Sequence, residues 1–227
     1  METHEPSESE TPAGPESTAA ASGPGAKNLV ERVKGILVQP REEWAIIAAE
    51  STPPKQLYLG YIMILAAIGP IAAFIGQWLV GYHVFGFYLH QPFGRALADA
   101  IIMYVLTLVG VYVLALVIDA LAPTFDGEKN LNQALKVAAY SYTPAWLIAI
   151  VLIWPSIFWL QILGLYGLFL LYLGLPVLMK APAQKALGYT VITIVAMIVI
   201  WFLIGFLASL VLIGIPTPQV APAGFPY

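Results

Sequence analysis

The sequence predicts an all-α integral membrane protein: a bundle of five transmembrane helices preceded by short amphipathic helices at the membrane interface. Three observations carry this. Hydrophobic residues make up 59% of the 227 and charged residues 10%, with a mean hydropathy of +0.81, too little polar surface for a soluble globule of that length. Five apolar runs are each long enough to cross a hydrocarbon core of ~30 Å at ~1.5 Å per residue. The lysines and arginines fall almost entirely on alternate connections between those runs.

Residues 1–27 hold five Glu, four Pro and many Ser, Thr, Ala and Gly, with no large apolar residue after Met1. Such a segment buries too little surface to offset its ordering entropy and is expected to be a disordered acidic tail. It lacks the basic start and apolar core of a signal peptide, so the first span is expected to serve as the targeting signal.

Residues 28–56 are read as interfacial helices. Leu29, Val33, Ile36 and Leu37 recur at helical spacing, with Glu31, Arg32 and Lys34 assigned to the other side, and Asn28 with Glu31 has the spacing of a capping box. A second helix is expected from Pro40, with Glu42 and Glu43 near the positive end of its dipole and Trp44, Ile47 and Ala48 as its apolar stripe. Both are too short to span, so they are expected along the membrane surface or on the end of the bundle.

The five spans are placed at 57–80, 96–121, 136–153, 157–179 and 188–213, followed by a Pro-rich, unstructured tail over 214–227. Lys27, Arg32, Lys34, Arg41, Lys55, Lys129, Lys136, Lys180 and Lys185 fall on one side of this arrangement and Arg95 alone on the other. Nine against one predicts a cytoplasmic amino terminus and an external carboxy terminus. Tyr82, Phe85, Phe87, Tyr88 and Phe93 in the connection 81–95, and the two Trp and one Phe of 154–159, are expected to form an aromatic belt at the outer interface.

Charge and residue usage narrow the chemistry. No cysteine is present and the net charge of −3 comes from the acidic tail, which excludes disulfides and thiolate sites and gives no sign of nucleic-acid binding. His83 and His90 share one connection without a third ligand nearby, so no metal or cofactor is expected. Asp99 and Asp119, the carboxylates within or near a span, lie twenty residues apart at opposite ends of one helix and cannot act as a pair. Asp99 is expected to pair with Arg95, and Asp119 with Lys136 or Lys180. No zinc-binding His-Glu motif, nucleophile elbow or P-loop occurs, which argues against an enzyme.

The hairpin formed by the third and fourth spans holds the candidate motif. Asn130 and Gln133 are placed to cap its first helix. Pro144 cannot donate to the carbonyl of Tyr140 and pushes it aside, so a kink is expected, with Ser141, Thr143 or a neighbouring hydroxyl to serve the freed carbonyl. Two readings stay open: a hinge or polar binding notch, and a kink fixed by helix packing. Within them, Ser141 is expected to pack and Tyr140 to face a partner near the cytoplasmic interface. Gly164, Gly167 and Gly174 fall on an arc of roughly 80°, which lets another backbone approach closely. Gly69 with Ala73, Ala72 with Gly76, and Gly205 with Ser209 supply similar small pairs.

VKGILVQPREEW, then NLNQALKVAAYSYTPAWL after an acidic-tipped loop, then LGLYGLFLLYLGLPVLMK, together resemble the Yip domain family, the Ypt/Rab-interacting membrane proteins, in its prokaryotic branch. The resemblance covers residues 28–213 and rests on Tyr140, Ser141 and Pro144 with Tyr166, Gly167 and Gly174. It implies a five-span Yip-like membrane domain with a cytoplasmic amino terminus, in the inner membrane of a prokaryote. The family's Asp-Leu-Tyr-Gly-Pro motif is missing, since the corresponding segment reads Pro53-Pro54-Lys55-Gln56-Leu57-Tyr58, and Rab-type GTPase binding is not carried over with the resemblance. The expected function is a non-enzymatic scaffold, adaptor or membrane-organising protein whose partners are the lipid bilayer and other membrane proteins, with self-association left open. The alternative is a small transporter or channel subunit that uses the broken third span.

Overall fold

The structure, a computed structural model, describes residues 28–84, 87–213 and 219–222, with backbone alone over 82–84, 87–89 and 219–222. The expectations for the acidic tail, most of the carboxy-terminal tail and the aromatic side chains between Tyr82 and Tyr88 fall outside it.

Helix α1 (Leu29–Val38) opens on the capping box: the Glu31 N–H donates to Asn28 Oδ1 at 2.8 Å and the Asn28 N–H to Glu31 Oε2 at 3.3 Å. Helix α2 (Pro40–Ala49) follows after Gln39, with proline in its first turn, where a missing N–H costs nothing. The two form a hairpin across the amino-terminal end of the bundle. The assignment of Arg32 to the outer side of α1 is corrected here, because Arg32 is 4% exposed and shares the inward face with Ile36, one turn away.

Five helices are long and apolar enough to span a membrane: Pro54–Val80, Phe93–Phe125, Leu131–Ile153, Pro155–Leu178 and Ala183–Leu212. All five match runs read from the sequence, and the membrane domain is an all-α bundle. The third span is its centre and the fifth its periphery, with 56% and 17% of their most apolar windows buried. Tyr61, Leu65, Leu114, Ile118, Val137, Leu171, Leu175 and Tyr189 fill the core between the spans.

Several spans depart from plain α-helix. The first has wider π-type turns at Tyr58–Ile62 and Gly76–Val80. The third runs as α-helix over Leu131–Ser141, breaks at Tyr142, resumes over Thr143–Ile148 and tightens to 3-10 over Ala149–Ile153. The break places Pro144 in the first turn of a new helix, so its missing N–H falls where no intrahelical bond is due. The fourth begins as 3-10 over Pro155–Leu165 and becomes α-helical over Tyr166–Leu178. Gly76 lets the 3-10 end of the third span press against the first, since a Cβ there would collide with the Leu152 carbonyl oxygen.

At the opposite end from α1, strands β1 (Tyr82–Val84), β2 (Phe87–His90) and β3 (Gln219–Pro222) form a small antiparallel sheet in the order β1-β2-β3, with Tyr88 opposite Ala221. Part of the tail expected to be unstructured therefore pairs as an edge strand; its partner lies far away in sequence, and no local pattern announces it. Trp154, Phe158 and Trp159 are exposed at the turn between the third and fourth spans.

Candidate functional site

The candidate residues meet where α1 and α2 cover the end of the bundle. The α1–α2 turn brings the Glu43 carboxylate over Gly35, where a Cβ would collide with it. There Arg32 Nη1 donates to Glu43 Oε1 at 2.6 Å and Nη2 to Glu50 Oε1, both guanidinium and Glu43 being almost wholly out of solvent. Burial works against the charge on Arg32. The hydrogen bond to Glu50 and the charges of Glu50 and Glu43 outweigh it, and the guanidinium pKa lies above the ordinary arginine value.

Polar side chains of the spans satisfy carbonyls at the ends of these helices, which have no intrahelical donor, and one in the connection just after α2. Lys136 Nζ donates to the Ile47 and Glu50 carbonyls at 3.0 and 2.5 Å. Gln133 Nε2 donates to Ala48 O at 3.2 Å and Asn132 Nδ2 to Thr52 O at 3.0 Å. The Tyr166 hydroxyl donates to Leu37 O at 3.0 Å, closing the end of α1. The ammonium of Lys136 at the negative end of α2 is also favoured by the helix dipole.

Tyr140 sits at the centre of this unit. Arg32 Cζ lies 5.7 Å from the centre of its ring, within cation–π range, and the rings of Trp44 and Tyr61 meet it edge-on at 6.2 and 4.7 Å. The Tyr61 and Thr143 hydroxyls are 2.7 Å apart and share a hydrogen bond, so Thr143 is engaged with the first span. Tyr140 is 4% exposed. The expectation that it faces a partner is corrected: Arg32, Trp44 and Tyr61 of the same chain occupy its ring.

Two glycines of the fourth span complete the unit. A Cβ at Gly167 would collide with the Ser141 carbonyl oxygen and lie 3.9 Å from Pro144 Cδ, so Gly167 gives the third span its close approach. A Cβ at Gly174 would lie 2.7 Å from Cζ2 of Trp44, so the indole rests flat on glycine backbone. Tyr140, Ser141, Pro144, Tyr166, Gly167 and Gly174 thus belong to one packing unit that joins α1, α2 and the third and fourth spans. Gly164 continues it, with Ala145 Cα 3.2 Å from the position of a Cβ.

Sequence reasoning missed Arg32, Glu43, Glu50 and Lys136, whose partners lie 11 to 89 residues away. The one available signal was that Arg32 precedes Ile36 by a turn. The expected partners of Asp119 are also corrected. Lys136 serves the end of α2, Lys180 pairs with Glu128 at 2.6 Å, and Asp119 Oδ1 is buried with no hydrogen-bond partner among the described residues. Asp99 lies in the field of Arg95 as expected and also bonds to Gln77. No group of three His, Cys, Asp or Glu residues converges among the described residues, and the side chain of His83 lies outside them.

A crevice of about 120 Å³ opens beside the network, between Leu29, Arg32, Gln56, Gly60 and Tyr140, room for a few waters at ~30 Å³ each. With Arg32 engaged by the two carboxylates and Lys136 by backbone carbonyls, the arrangement serves as a clasp that fixes a helical hairpin to the membrane domain.

The model of the Yip1 domain matches residues 34–213. The chain belongs to the Yip1 domain family. Two curated relatives, the inner membrane protein YohC of Escherichia coli K12 and that of Escherichia coli O6:H1, are each 28% identical to it over 166 residues, covering 71% of this chain and 85% of theirs. No solved structure matches. In this Yip1-domain protein the matched region begins inside α1 and takes in α2, all five spans and every residue of the clasp except Arg32.

Proposed function

We propose that this Yip1-family membrane protein is a non-enzymatic scaffold or adaptor of a prokaryotic inner membrane, with its amino terminus in the cytoplasm and its carboxy terminus outside. One observation carries the reading: the α1–α2 hairpin is clasped to the bundle through its inner face and leaves a mixed apolar and charged outer face. Val30 and Val38 are 72% and 67% exposed, and Lys34, Arg41 and Glu42 stand around them in solvent. A fixed surface of this kind suits the docking of another protein, because little ordering entropy remains to be lost on binding. The YohC relatives support the placement in an inner membrane, and the charge bias supports the orientation.

The test is site-specific photocrosslinking in native membranes from Val30, Val38 and the buried Ile36. Discrete adducts from the first two and none from Ile36 support the reading, and the same background from all three overturns it. Reporter fusions after Gly127 and Gln184 should show cytoplasmic activity, and fusions after Gln91 and Tyr227 external activity; a cytoplasmic signal at Tyr227 refutes the orientation. Substrate-dependent flux in proteoliposomes would replace the scaffold with a transporter.

A further inference from the structure

The crevice of about 120 Å³ beside the clasp brings together three oxygens that make no hydrogen bond to any described residue. Glu50 gives one carboxylate oxygen, Oε1, to Arg32 and leaves Oε2 without a partner. Tyr140 is 4% exposed, yet its hydroxyl bonds to nothing around it. Thr52 lends its carbonyl to Asn132 and keeps its hydroxyl for the crevice. Arg32 is one cation shared between two carboxylates, and Lys136 is held on backbone carbonyls, so the charge of Glu50 is only partly offset where it meets the crevice. Three convergent acceptors with residual negative charge match a primary ammonium, which has three donors and no acceptor.

Position selects the molecule that carries the ammonium. Gln56 and Leu57, which line the crevice, stand in the opening turn of the first span, Pro54–Val80. There the apolar run takes over from Lys55, which is the level of the lipid headgroups. Along the outside of that span the exposed Gln56, Gly60 and Ile64 follow at steps of four residues, and a Cβ at Gly60 would meet nothing within 4 Å. A shallow track therefore leads from the polar rim to lipid-facing surface, as a headgroup and its acyl chains require. The π-type turn at Tyr58–Ile62 falls on the same stretch, and such turns are frequent at functional sites. At the rim, Gln56 and the exposed Lys55 offer donors to a phosphate one ethanolamine link away from the ammonium.

We propose that the crevice between α1 and the first span binds the headgroup of an ethanolamine phospholipid, its ammonium donating to Glu50, Thr52 and Tyr140 and its phosphate at Gln56 and Lys55. The site is separate from the outer face of the hairpin, and its test does not depend on the scaffold reading.

The experiment takes the full chain in a nonionic detergent and follows lipid retention by native mass spectrometry, with dilauroyl phosphatidylethanolamine, phosphatidylcholine and phosphatidylglycerol added singly and in equal mixture. One phosphatidylethanolamine per chain should be retained about tenfold more tightly than phosphatidylcholine, whose trimethylated head keeps the charge but has no N–H to donate. Tyr140→Phe keeps the ring contacts and Thr52→Val keeps the carbonyl that Asn132 uses. Each should weaken phosphatidylethanolamine about threefold and leave phosphatidylcholine unchanged. Free ethanolamine at the same concentration should not displace the lipid. Equal retention of the three lipids by the wild-type chain, preference for phosphatidylglycerol, or unchanged selectivity in the Tyr140→Phe, Thr52→Val double variant each overturns the proposal. So does displacement by free ethanolamine, which would give the crevice to a soluble amine.

Discussion

Arg32→Ala is the sharpest test of the clasp. It leaves the Glu43 side chain, 3% exposed, facing that of Glu50, 17% exposed, with no cation between them. Lys136 cannot take over without abandoning the carbonyls of Ile47 and Glu50. Removing one partner from a buried ion pair costs about 3–5 kcal/mol, and the lost contact with the Tyr140 ring adds about 0.5–2 kcal/mol. A net cost of about 4 kcal/mol makes opening of the α1–α2 hairpin roughly a thousandfold more favourable. The chain has no cysteine, so Ile47→Cys, at a fully buried position of α2, provides a single thiol as a probe of opening. Maleimide labelling of that thiol in nanodiscs should accelerate by about two to three orders of magnitude when Arg32→Ala is added. Arg32→Met with Glu43→Leu should return the rate most of the way, because an apolar replacement leaves no stranded charge. Labelling at the parental rate in Arg32→Ala, or labelling of the apolar double variant as fast as Arg32→Ala, would refute the reasoning.

Other substitutions probe the same unit. Gly174→Leu pushes the Trp44 ring off the fourth span and should cost about 1–3 kcal/mol, read as faster maleimide labelling in the Ile47→Cys background together with a shift in tryptophan emission. Tyr140→Phe keeps every ring contact and should melt within about 1 kcal/mol of the parent, whereas Tyr140→Ala should cost about 3–5 kcal/mol; equal losses would show that the hydroxyl, not the ring, holds the hairpin. Tyr61→Phe breaks the bond to Thr143 and should cost about 0.6 kcal/mol, measured by thermal denaturation in detergent. A chain begun at Lys27 should insert and melt like the full one, since the composition of residues 1–26 offers nothing to pack, and a large drop in melting temperature would contradict this.

The parts of this structure that were legible in the sequence are those set by local chemistry or by the bilayer. Asn28 with Glu31, Pro40 at the start of α2 and Asn130 ahead of the third span are caps written in a few adjacent residues, and the five spans follow from length and apolarity. Gly167 and Gly174 could be read as places of close approach, but not what approaches them, because Ser141 and Trp44 come from other elements. Arg32 reads as a surface charge because single-helix periodicity ranks a charge as outward, and Glu43 reads only as a complement to the dipole of its own helix. Only the fold of α2 onto α1 brings the two together and makes burial tolerable. The pairing of Gln219–Pro222 with Phe87–His90 was hidden for the same reason, as each strand is too short to show a pattern without the other.

The bond from Lys136 to the end of α2 also sets an order of assembly. Its partners lie 86 and 89 residues earlier, whereas Arg32 reaches Glu43 and Glu50 across 11 and 18. During synthesis the hairpin can pair its Arg32 as soon as it emerges, but Lys136 has yet to be made, and Gly174, on which Trp44 will rest, comes later still. At ~5–20 residues per second that delay is on the order of ten seconds. Through that interval Trp44 and Ile47 have no protein to cover them, and the bilayer surface is the nearest apolar shelter. The nascent chain therefore holds an amphipathic hairpin, its Arg32 already paired, at the interface until the later spans arrive to receive it, and a variant that slows insertion of the third span prolongs the stage at which this hairpin is open to chaperones and proteases.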